Sequence, residues 1–521
     1  MCTSFVNAKN KKLYDGNGNE FLLKGVGLGG WMLPEGYMWG NHKYYERPRR
    51  FEELVLEKTD QEYADLFWDT YYKAFISDKD FELINQHGYN SIRLPINFRM
   101  LMEENELDDT VVFKQIGFDL IDYVIDQCKK HKLYLILDLH GAPGGQTGTN
   151  IDDSKYDKPE LFTNEIYQSQ TVKLWIEIAK RYKDETIVAA YDLLNEPLPN
   201  WNSHLNENLV PLYKRLIKEI RKIDQNHMFS IEGAHWATDF SMISEVLDEN
   251  TLLHFHKYWN SPSIETITQF LDKRESLNHP LYMGEGGEND LYWYAAAFKM
   301  YDQLDISWNF WTYKKIDNNN SIISFKKPKN WNTIFDKEYE MSSEEAKLLL
   351  NAFLKNIEFD NCKINKEVTN HLFRKDEVKI PSAFYDYYGN GISFKTHSNL
   401  EGPIRTSDKT DIVQSNGTTY NHSFSRFSKE DIANDKYAYL RMSKGDFYCY
   451  TFYITDLKEI LVSIENVNSH FDVSINNEHV NVINEGVLQS YKYSPNKHKI
   501  EVKLTCTKPG IIRNIILGKA N

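Results

Sequence analysis

Short apolar runs alternate with longer segments of helical periodicity between residues 20 and 315, and this alternation limits the folds open to the chain. A strand covered on both faces needs apolar residues nearly throughout, so each run is typical of a parallel sheet built from βα units. Eight such runs occur: FLLKGVGLGG (21–30), YNSIRLPI (89–96), LYLILDLHG (133–141), IVAAYDLLN (187–195), HMFSIEGAHW (227–236), TLLHFHKYW (251–259), PLYMGEGG (280–287) and ISWNFWTY (306–313).

The segments between the runs have the spacing of amphipathic helices. Apolar residues recur three and four apart at Phe113, Ile116, Leu120, Val124 and Cys128 within 111–130, and at Leu212, Leu216, Ile220 and Ile223 before the fifth run. A final helix over 342–357 is predicted to open with a capping box of Ser342 and Glu345.

Eight strands with eight helices predict an α/β fold, the (β/α)8 TIM barrel. An open doubly wound sheet is the alternative, but it needs a glycine-rich phosphate turn after its first strand. GVGLGG is a poor match because no helical pattern follows it.

Beyond about residue 375 the pattern changes to short alternating strands with polar turns, which predicts a β-sandwich. We therefore expect two domains, a barrel over 1–374 and a sandwich over 375–521. The segments YLRMSKGDFYCYTFYI and GIIRNIIL resemble the family 6 type of carbohydrate-binding module.

Composition excludes some partners. The net charge is -14 without a basic block, which argues against nucleic acid and anionic membranes as partners. The five cysteines are far apart and show no CxxC spacing, so neither a zinc site nor a disulfide framework is expected. Without an apolar leader or a run long enough to span a membrane, a cytoplasmic location is expected, or a secreted one if a leader was removed.

In a (β/α)8 barrel the active site lies at the C-terminal ends of the strands. The predicted strands end on polar or aromatic residues: Arg93, His140, Asn195, Glu196, Trp236, His256, Tyr258, Glu285 and Trp311. Packing alone does not explain one arginine, two histidines, two glutamates and a tyrosine on one rim, so this rim is the candidate site.

Glu196 and Glu285 end the fourth and seventh predicted strands, on opposite sides of a small barrel, so their carboxyl groups can face each other. Two facing carboxylates are the apparatus of glycoside hydrolysis. A regular strand points Asn195 and Glu196 to opposite faces. Both can serve only if the strand breaks there, and Pro197 is consistent with such a break.

These motifs resemble glycoside hydrolase family 5 over most of residues 20–315. Asn195-Glu196-Pro197 matches the acid/base motif, GEGG the nucleophile strand, HFHKY the histidine and tyrosine two residues apart, and FWTY the subsite tryptophan. The resemblance implies that Glu196 is the acid/base and Glu285 the nucleophile.

The same resemblance implies supporting roles. Arg93 and Tyr258 would hold Glu285 ionised, since an adjacent cation lowers a carboxyl pKa. The implied sugar contacts are Asn195 to the 2-hydroxyl, His140 and His256 around the reacting subsite, and Trp311 as its platform, with Trp236 as a further rim contact.

Within the family, GGWMLPE and LDLHGAPGGQTG look most like the exo-β-1,3-glucanase and β-glucosidase branch, in which a glutamate four residues after the tryptophan contacts the terminal sugar. Here that residue is Glu35. We expect an exo-acting, retaining hydrolase of a β-glucoside or short β-glucan. The alternatives are an endo-β-glucanase, a glycolipid- or glycoside-specific hydrolase of the same family, and a catalytically silent carbohydrate-binding protein. The sugar, the linkage and the oligomeric state stay open.

No metal or cofactor is predicted. His254 and His256 share one face of a strand, but no third ligand stands at a matching interval. DGNGNE (15–20) begins like an EF-hand loop but has Glu20 where glycine is required and Val26 where glutamate is required, so a hairpin turn is predicted.

Overall fold

A computed structural model describes residues 4–40, 44–402, 404–414 and 438–520. The chain forms two compact units. The first comprises the chain up to Lys257, Phe270–Gly286 and Ser307–Ile364, and the second comprises Tyr258–Gln269, Gly287–Ile306 and the chain from Asn365. The predicted domain boundary between residues 374 and 375 stays a prediction.

Eight parallel strands close into a barrel, which confirms the predicted fold class. The barrel strands are β1 (Lys24–Gly27), β2 (Ser91–Asn97), β3 (Tyr134–Gly141), β4 (Val188–Asp192), β5 (Met228–Glu232), β6 (Thr251–His256), β7 (Leu281–Gly287) and β8 (Ser307–Trp311). Each strand pairs with its neighbours in chain order, and β8 closes the barrel against β1, where Asn309 lies opposite Gly25.

The barrel floor lies at the N-terminal ends of its strands. Leu23, Ile136, Met228 and Leu252 form a buried cluster there with Leu13. Leu13 comes from an N-terminal sheet of three short strands, Asn7–Lys9, Lys12–Tyr14 and Glu20–Phe21. With this end filled by apolar side chains, the opposite end of the barrel is left for polar ones.

Helices follow the barrel strands in the chain. The α-helices are Pro48–Lys58, Gln61–Phe75, Asp78–Gln86, Phe98–Leu101, Gln115–His131, Glu165–Tyr182, Leu209–Arg221, Ala234–Ala237, Thr268–Leu277, Leu291–Gln303, Ser343–Ile357 and Lys366–Phe373. Shorter 3-10 helices are Gly36–Trp39, Glu160–Phe162, Asn200–Asn208, Ile264–Ile267, Trp331–Phe335, Phe359–Asn361 and Thr406–Asp408. A small sheet joins Lys314–Ile316, Ile323–Phe325 and Lys363–Ile364.

One predicted helix face is corrected. The helix expected over 111–130 begins at Gln115, so Phe113 precedes it, and Ile116 is 51% exposed. The buried face is instead formed by Phe118, Ile121 and Val124 with their neighbours. Both sets have helical spacing, and the two overlap at Val124 and Cys128, so periodicity alone does not select between them.

Two local predictions are confirmed. The Ser342 and Glu345 side chains bond each other's backbone N–H groups at 3.3 and 2.9 Å and form the predicted capping box. DGNGNE is a hairpin turn in which the Asp15 carboxylate accepts from the Asn17 and Asn19 N–H groups at 2.8 and 2.9 Å.

The second unit contains a β-sandwich of two antiparallel sheets, which confirms the second fold prediction. One sheet contains Val378–Pro381, Ile412–Val413, Tyr439–Met442, Ile460–Val467, Val482–Asn484, Leu488–Tyr493 and Gly510–Lys519, and the other Phe394–Lys395, Phe447–Tyr453, His470–Ile475, Glu478–Val480 and Lys499–Lys508. Within the described ranges, no helix has the length and apolar content that a bilayer crossing requires.

Candidate active site

The predicted site residues gather at the C-terminal end of the barrel. His140 lies near the end of β3, His256 ends β6, Glu285 lies in β7 and Trp311 ends β8. Arg93 does not close its strand as predicted, because β2 continues for four residues to Asn97. Its long side chain still reaches Glu285.

The chain is irregular at Glu196, as predicted, but β4 ends at Asp192, so Asn195 and Glu196 follow the strand and do not end it as predicted. Glu196 has the left-handed backbone angle φ 44°. The Gln146 side chain supports this irregular segment by donating to the Asn195 carbonyl at 3.0 Å, while the Leu198 N–H donates to the Gln146 carbonyl at 3.1 Å. Asn195 and Glu196 therefore both turn their side chains into the site, which a regular strand does not allow.

The two glutamates form a close pair. An oxygen of Glu196 and an oxygen of Glu285 lie within 4.8 Å of each other, and the residues are 7% and 4% exposed. Arg93 Nη1 donates to Glu285 Oε1. His256 Nδ1 lies 2.6 Å from Glu196 Oε1 and 3.7 Å from Glu285 Oε2. His256 thus lies between the two carboxyl groups, and Arg93 contacts Glu285.

The environment of Glu196 favours its protonated form. Burial raises its pKa well above the usual range, and the negative charges of Glu285 and Glu35 raise it further. Burial also lowers the pKa of His256 well below its usual value, so the imidazole is neutral. A protonated Glu196 can donate to the Nδ1 of this neutral imidazole, which lies 2.6 Å from Glu196 Oε1.

Arg93 is the centre of a buried acidic cluster. It bonds Asp192 through Nε at 2.8 Å and approaches Asp138 and Glu232 through Nη2 at 3.1 and 3.2 Å, besides bonding Glu285. Although burial opposes the charged guanidinium, these carboxyls raise the pKa of Arg93. Burial would also raise the pKa of Asp192, but His254 and Arg93 hold it at about 2.

Asn195 is held between Arg93 and a neutral His140. The Asn195 Oδ1 accepts from Arg93 Nη2 at 2.8 Å, which fixes the amide so that Nδ2 faces His140 Nε2 at 3.3 Å. An amide nitrogen only donates, so His140 carries its proton on Nδ1 and donates it to Asp138 at 2.7 Å. Burial lowers the pKa of His140 to about 3, which keeps this arrangement neutral.

Trp311 is fixed as a platform beside the acidic cluster. Its ring stacks on His140 with centroids 5.6 Å apart and an interplanar angle of 4°, and its Nε1 donates to the Tyr37 hydroxyl at 2.9 Å. A Cβ at Gly27 or Gly29 would lie 2.6 Å from the indole. The GVGLGG segment therefore leaves room for a tryptophan, and its glycines do not form a phosphate turn.

Glu35, Trp236 and Tyr258 were also predicted to line the site. Glu35 is buried and contributes to the charge that Glu196 experiences. Trp236 does not end its strand, because β5 stops at Glu232; its ring is half-buried and meets Trp201 at 5.2 Å. Tyr258 lies two residues past β6 and is half-buried, and its hydrogen bond to Glu285 stays a prediction.

The sequence reasoning missed Asp138, Asp192 and Glu232 as site residues and considered His254 only as a metal ligand. All are fully buried ionisable residues within the predicted runs. The two-residue period of a strand could have revealed Asp138 and His254, because they precede His140 and His256 by two positions on the same strand face.

Glu232 lies beside His254 and His256 in the folded chain. One ligand atom each of Glu232, His254 and His256 lies within 4.8 Å of the others, so the fold brings a third residue beside the two histidines although none stands at a matching interval in the sequence. These atoms contact one another, with the two Nε2 atoms at 3.0 Å and His254 Nδ1 at 3.2 Å from Glu232 Oε1. The three side chains form a hydrogen-bonded group.

The part of the chain that forms most of the barrel is similar to known proteins. The family model described as cellulase (glycosyl hydrolase family 5) matches residues 56–317. A β-xylosidase of Phanerodontia chrysosporium is 34% identical over 257 residues, covering 49% of this chain and 52% of that protein. A probable glucan 1,3-β-glucosidase A of Neosartorya fischeri is 31% identical, covering 52% of this chain and 66% of that protein.

A further relative is endoglucanase C of Acetivibrio thermocellus, which is 25% identical and covers 48% of this chain and 88% of that protein. The chain thus spans about half the length of the matched β-xylosidase. The matched relatives carry both exo-type and endo-type names.

Proposed function

This chain belongs to glycosyl hydrolase family 5, and on that premise we propose that it hydrolyses β-linked glycosides with retention of anomeric configuration. The proposed substrate is a β-glucoside or short β-glucan, cleaved from its end. Glu285 is the nucleophile and Glu196 the acid/base.

The observation that carries the proposal is the short approach of the two carboxyl groups. Retaining enzymes hold their carboxyls about 5 to 5.5 Å apart, whereas inverting enzymes need roughly 6.5 to 9.5 Å to admit water. Oxygens of Glu196 and Glu285 within 4.8 Å of each other support the retaining geometry.

The surroundings of Glu285 and Glu196 favour different protonation states, and therefore different roles. Glu285 accepts a charge-assisted hydrogen bond from Arg93, which favours the carboxylate form that attacks the anomeric carbon. Glu196 begins protonated and donates to the leaving oxygen, because burial and neighbouring charges raise its pKa. Once Glu285 is glycosylated its negative charge is gone, so Glu196 can ionise and deprotonate the attacking water.

Asn195, His140 and Trp311 are proposed to bind the reacting sugar. Asn195 Nδ2 faces His140 with one N–H, and its second N–H is available for the sugar 2-hydroxyl. The flat surface of Trp311, held by His140 and Tyr37, is suited to a sugar ring. Trp236 adds a buried indole N–H that has no hydrogen-bond partner within the described residues.

Exo action is supported by Glu35, whose negative charge acts on Glu196, and by the names of two relatives, β-xylosidase and glucan 1,3-β-glucosidase. The endoglucanase relative supports the endo alternative. Digestion of reduced laminari- and cello-oligosaccharides separates them: exo action releases monosaccharide from the first time point, and endo action releases a mixture of oligosaccharides.

Activity is tested with nitrophenyl β-glycosides of glucose, xylose, mannose and galactose. We expect turnover of at least one, with the β-anomer as first product by proton NMR, and its loss in Glu285→Ala. The matched control is Glu249→Ala, which removes an exposed carboxylate. Binding of these sugars without turnover would favour a carbohydrate-binding protein, and an α-anomer as first product would exclude retention.

A further inference from the structure

Glu232 is the last residue of β5 and is completely buried. The Tyr213 hydroxyl contacts its backbone N–H and C=O at 3.3 and 3.0 Å and so fixes the end of the strand. A Cβ at the next residue, Gly233, would lie 2.1 Å from the Asp239 carbonyl oxygen, so the chain turns sharply here. The carboxyl group of Glu232 is thereby held in one place.

One oxygen of this carboxyl group holds the backbone of Glu196. Glu232 Oε2 accepts from the Glu196 N–H at 2.6 Å. Glu196 has a left-handed φ of 44°, a conformation that a residue with a Cβ adopts only where its surroundings enforce it. The bond between Glu232 and Glu196 supplies such a constraint at the residue itself.

The other oxygen is tied to the nucleophile side. Glu232 Oε1 accepts from Arg93 Nη2 at 3.2 Å and lies 3.2 Å from His254 Nδ1. Arg93 donates through its other terminal nitrogen to Glu285. A single buried carboxyl group therefore touches the backbone of one catalytic glutamate and the arginine that holds the other.

We propose that Glu232 is a positioning residue that fixes the proton-donating carboxyl group of Glu196 relative to the leaving oxygen. This inference rests on the proposed function, in which Glu196 is the acid/base. Glu232 acts through the Glu196 backbone and does not itself transfer a proton to substrate. Substitution of a residue with a purely structural role would lower kcat/KM on all substrates alike. Substitution of a residue that positions the acid should lower kcat/KM most on substrates whose leaving group needs a proton.

The test uses two β-glycosides of the sugar that the wild-type protein cleaves, one with a 2,4-dinitrophenyl and one with a phenyl leaving group. The dinitrophenolate leaves without protonation, whereas the phenolate requires the acid, whose help is worth on the order of 10²-fold or more. In Glu196→Ala, kcat/KM should fall much further on the phenyl than on the dinitrophenyl substrate. That pattern establishes the acid role independently of Glu232.

In Glu232→Ala, we expect the same substrate-dependent pattern, with kcat/KM on the phenyl glycoside falling about tenfold or more beyond the fall on the dinitrophenyl glycoside. Glu232→Gln keeps an oxygen that can accept from the Glu196 N–H, so it should lose similar activity on both substrates. Tyr213→Phe is the matched control, because it perturbs the strand end without removing the carboxyl group, and its losses should also be equal.

If the alanine variant is insoluble, Glu232→Asp is measured in its place. Its side chain is shorter by one methylene, so the carboxyl group is moved away from the Glu196 N–H while its charge is kept. Equal losses on both substrates in Glu232→Ala or Glu232→Asp, beside a substrate-dependent loss in Glu196→Ala, would overturn the inference and leave the proposed function intact. Equal losses in Glu196→Ala would instead remove the acid/base assignment itself.

Discussion

Replacing Arg93 with methionine should destabilise the barrel strongly, and the effect should depend on pH. Arg93 is fully buried and faces Asp138, Asp192, Glu232 and Glu285. Removing one partner of a buried ion pair costs about 3 to 5 kcal/mol, because an uncompensated charge is left in a low-dielectric site. We expect Arg93→Met to lower the free energy of unfolding by about this amount at pH 7.

The pH dependence follows from Asp192. In the folded wild-type protein burial opposes its ionisation, but His254 and Arg93 hold its pKa at about 2, against about 3.9 in an unfolded chain. This shift contributes roughly 2 to 3 kcal/mol above pH 4, which is lost as the pH falls toward 2. Without Arg93 the buried carboxyls take up protons at higher pH, so Arg93→Met should gain stability on acidification. The difference between the two proteins should therefore shrink from pH 7 to pH 4.

The assay is urea denaturation followed by tryptophan fluorescence, since nine of the 11 tryptophans lie in the unit that contains the barrel. The matched control is Arg441→Met, because Arg441 is 46% exposed in its ion pair with Asp411 and such pairs contribute about 0 to 1 kcal/mol. An Arg93→Met protein as stable as the control, or a difference that grows as the pH falls, would refute this reasoning.

Two further predictions concern the sugar platform and the acid. Gly29→Ala should displace the Trp311 ring and cost roughly 1 to 3 kcal/mol of stability, with a raised KM. Gly518→Ala, whose Cβ meets no atom within 4 Å, should change neither; equal melting temperatures and KM values for the two variants would contradict the packing argument. Glu35→Gln removes a negative charge that raises the pKa of Glu196, so the alkaline limb of the kcat/KM profile should move to lower pH. An alkaline limb at the same or a higher pH would show that Glu35 does not act on Glu196.

The sequence was sufficient for the barrel because βα alternation is a long-range pattern that survives errors at single residues. It also located Glu196 and Glu285, since carboxylates at the ends of apolar strands have few structural explanations. The irregular backbone at Glu196 was predictable because both Asn195 and Glu196 were expected to face the site, and neighbouring residues of a regular strand cannot share a face.

The sequence was not sufficient for the end of β5. The apolar run continues to Trp236, whereas the strand stops at Glu232, because Gly233 lies against the Asp239 carbonyl. That contact comes from a residue outside the run, so periodicity does not reveal it. The same holds for the cluster around Arg93, whose four carboxyls come from four different strands and meet only when the barrel closes.

Azide rescue tests the roles of the two glutamates most directly, on a 2,4-dinitrophenyl β-glycoside that the wild-type protein cleaves. In Glu285→Ala, a small anion can attack from the side that the carboxylate vacated, so azide should restore turnover and give the α-glycosyl azide. In Glu196→Ala, the glycosyl-enzyme still forms, and azide should give the β-glycosyl azide. Swapped anomers, or rescue of neither variant while wild-type turnover is intact, would contradict the assignment of Glu285 as nucleophile and Glu196 as acid/base.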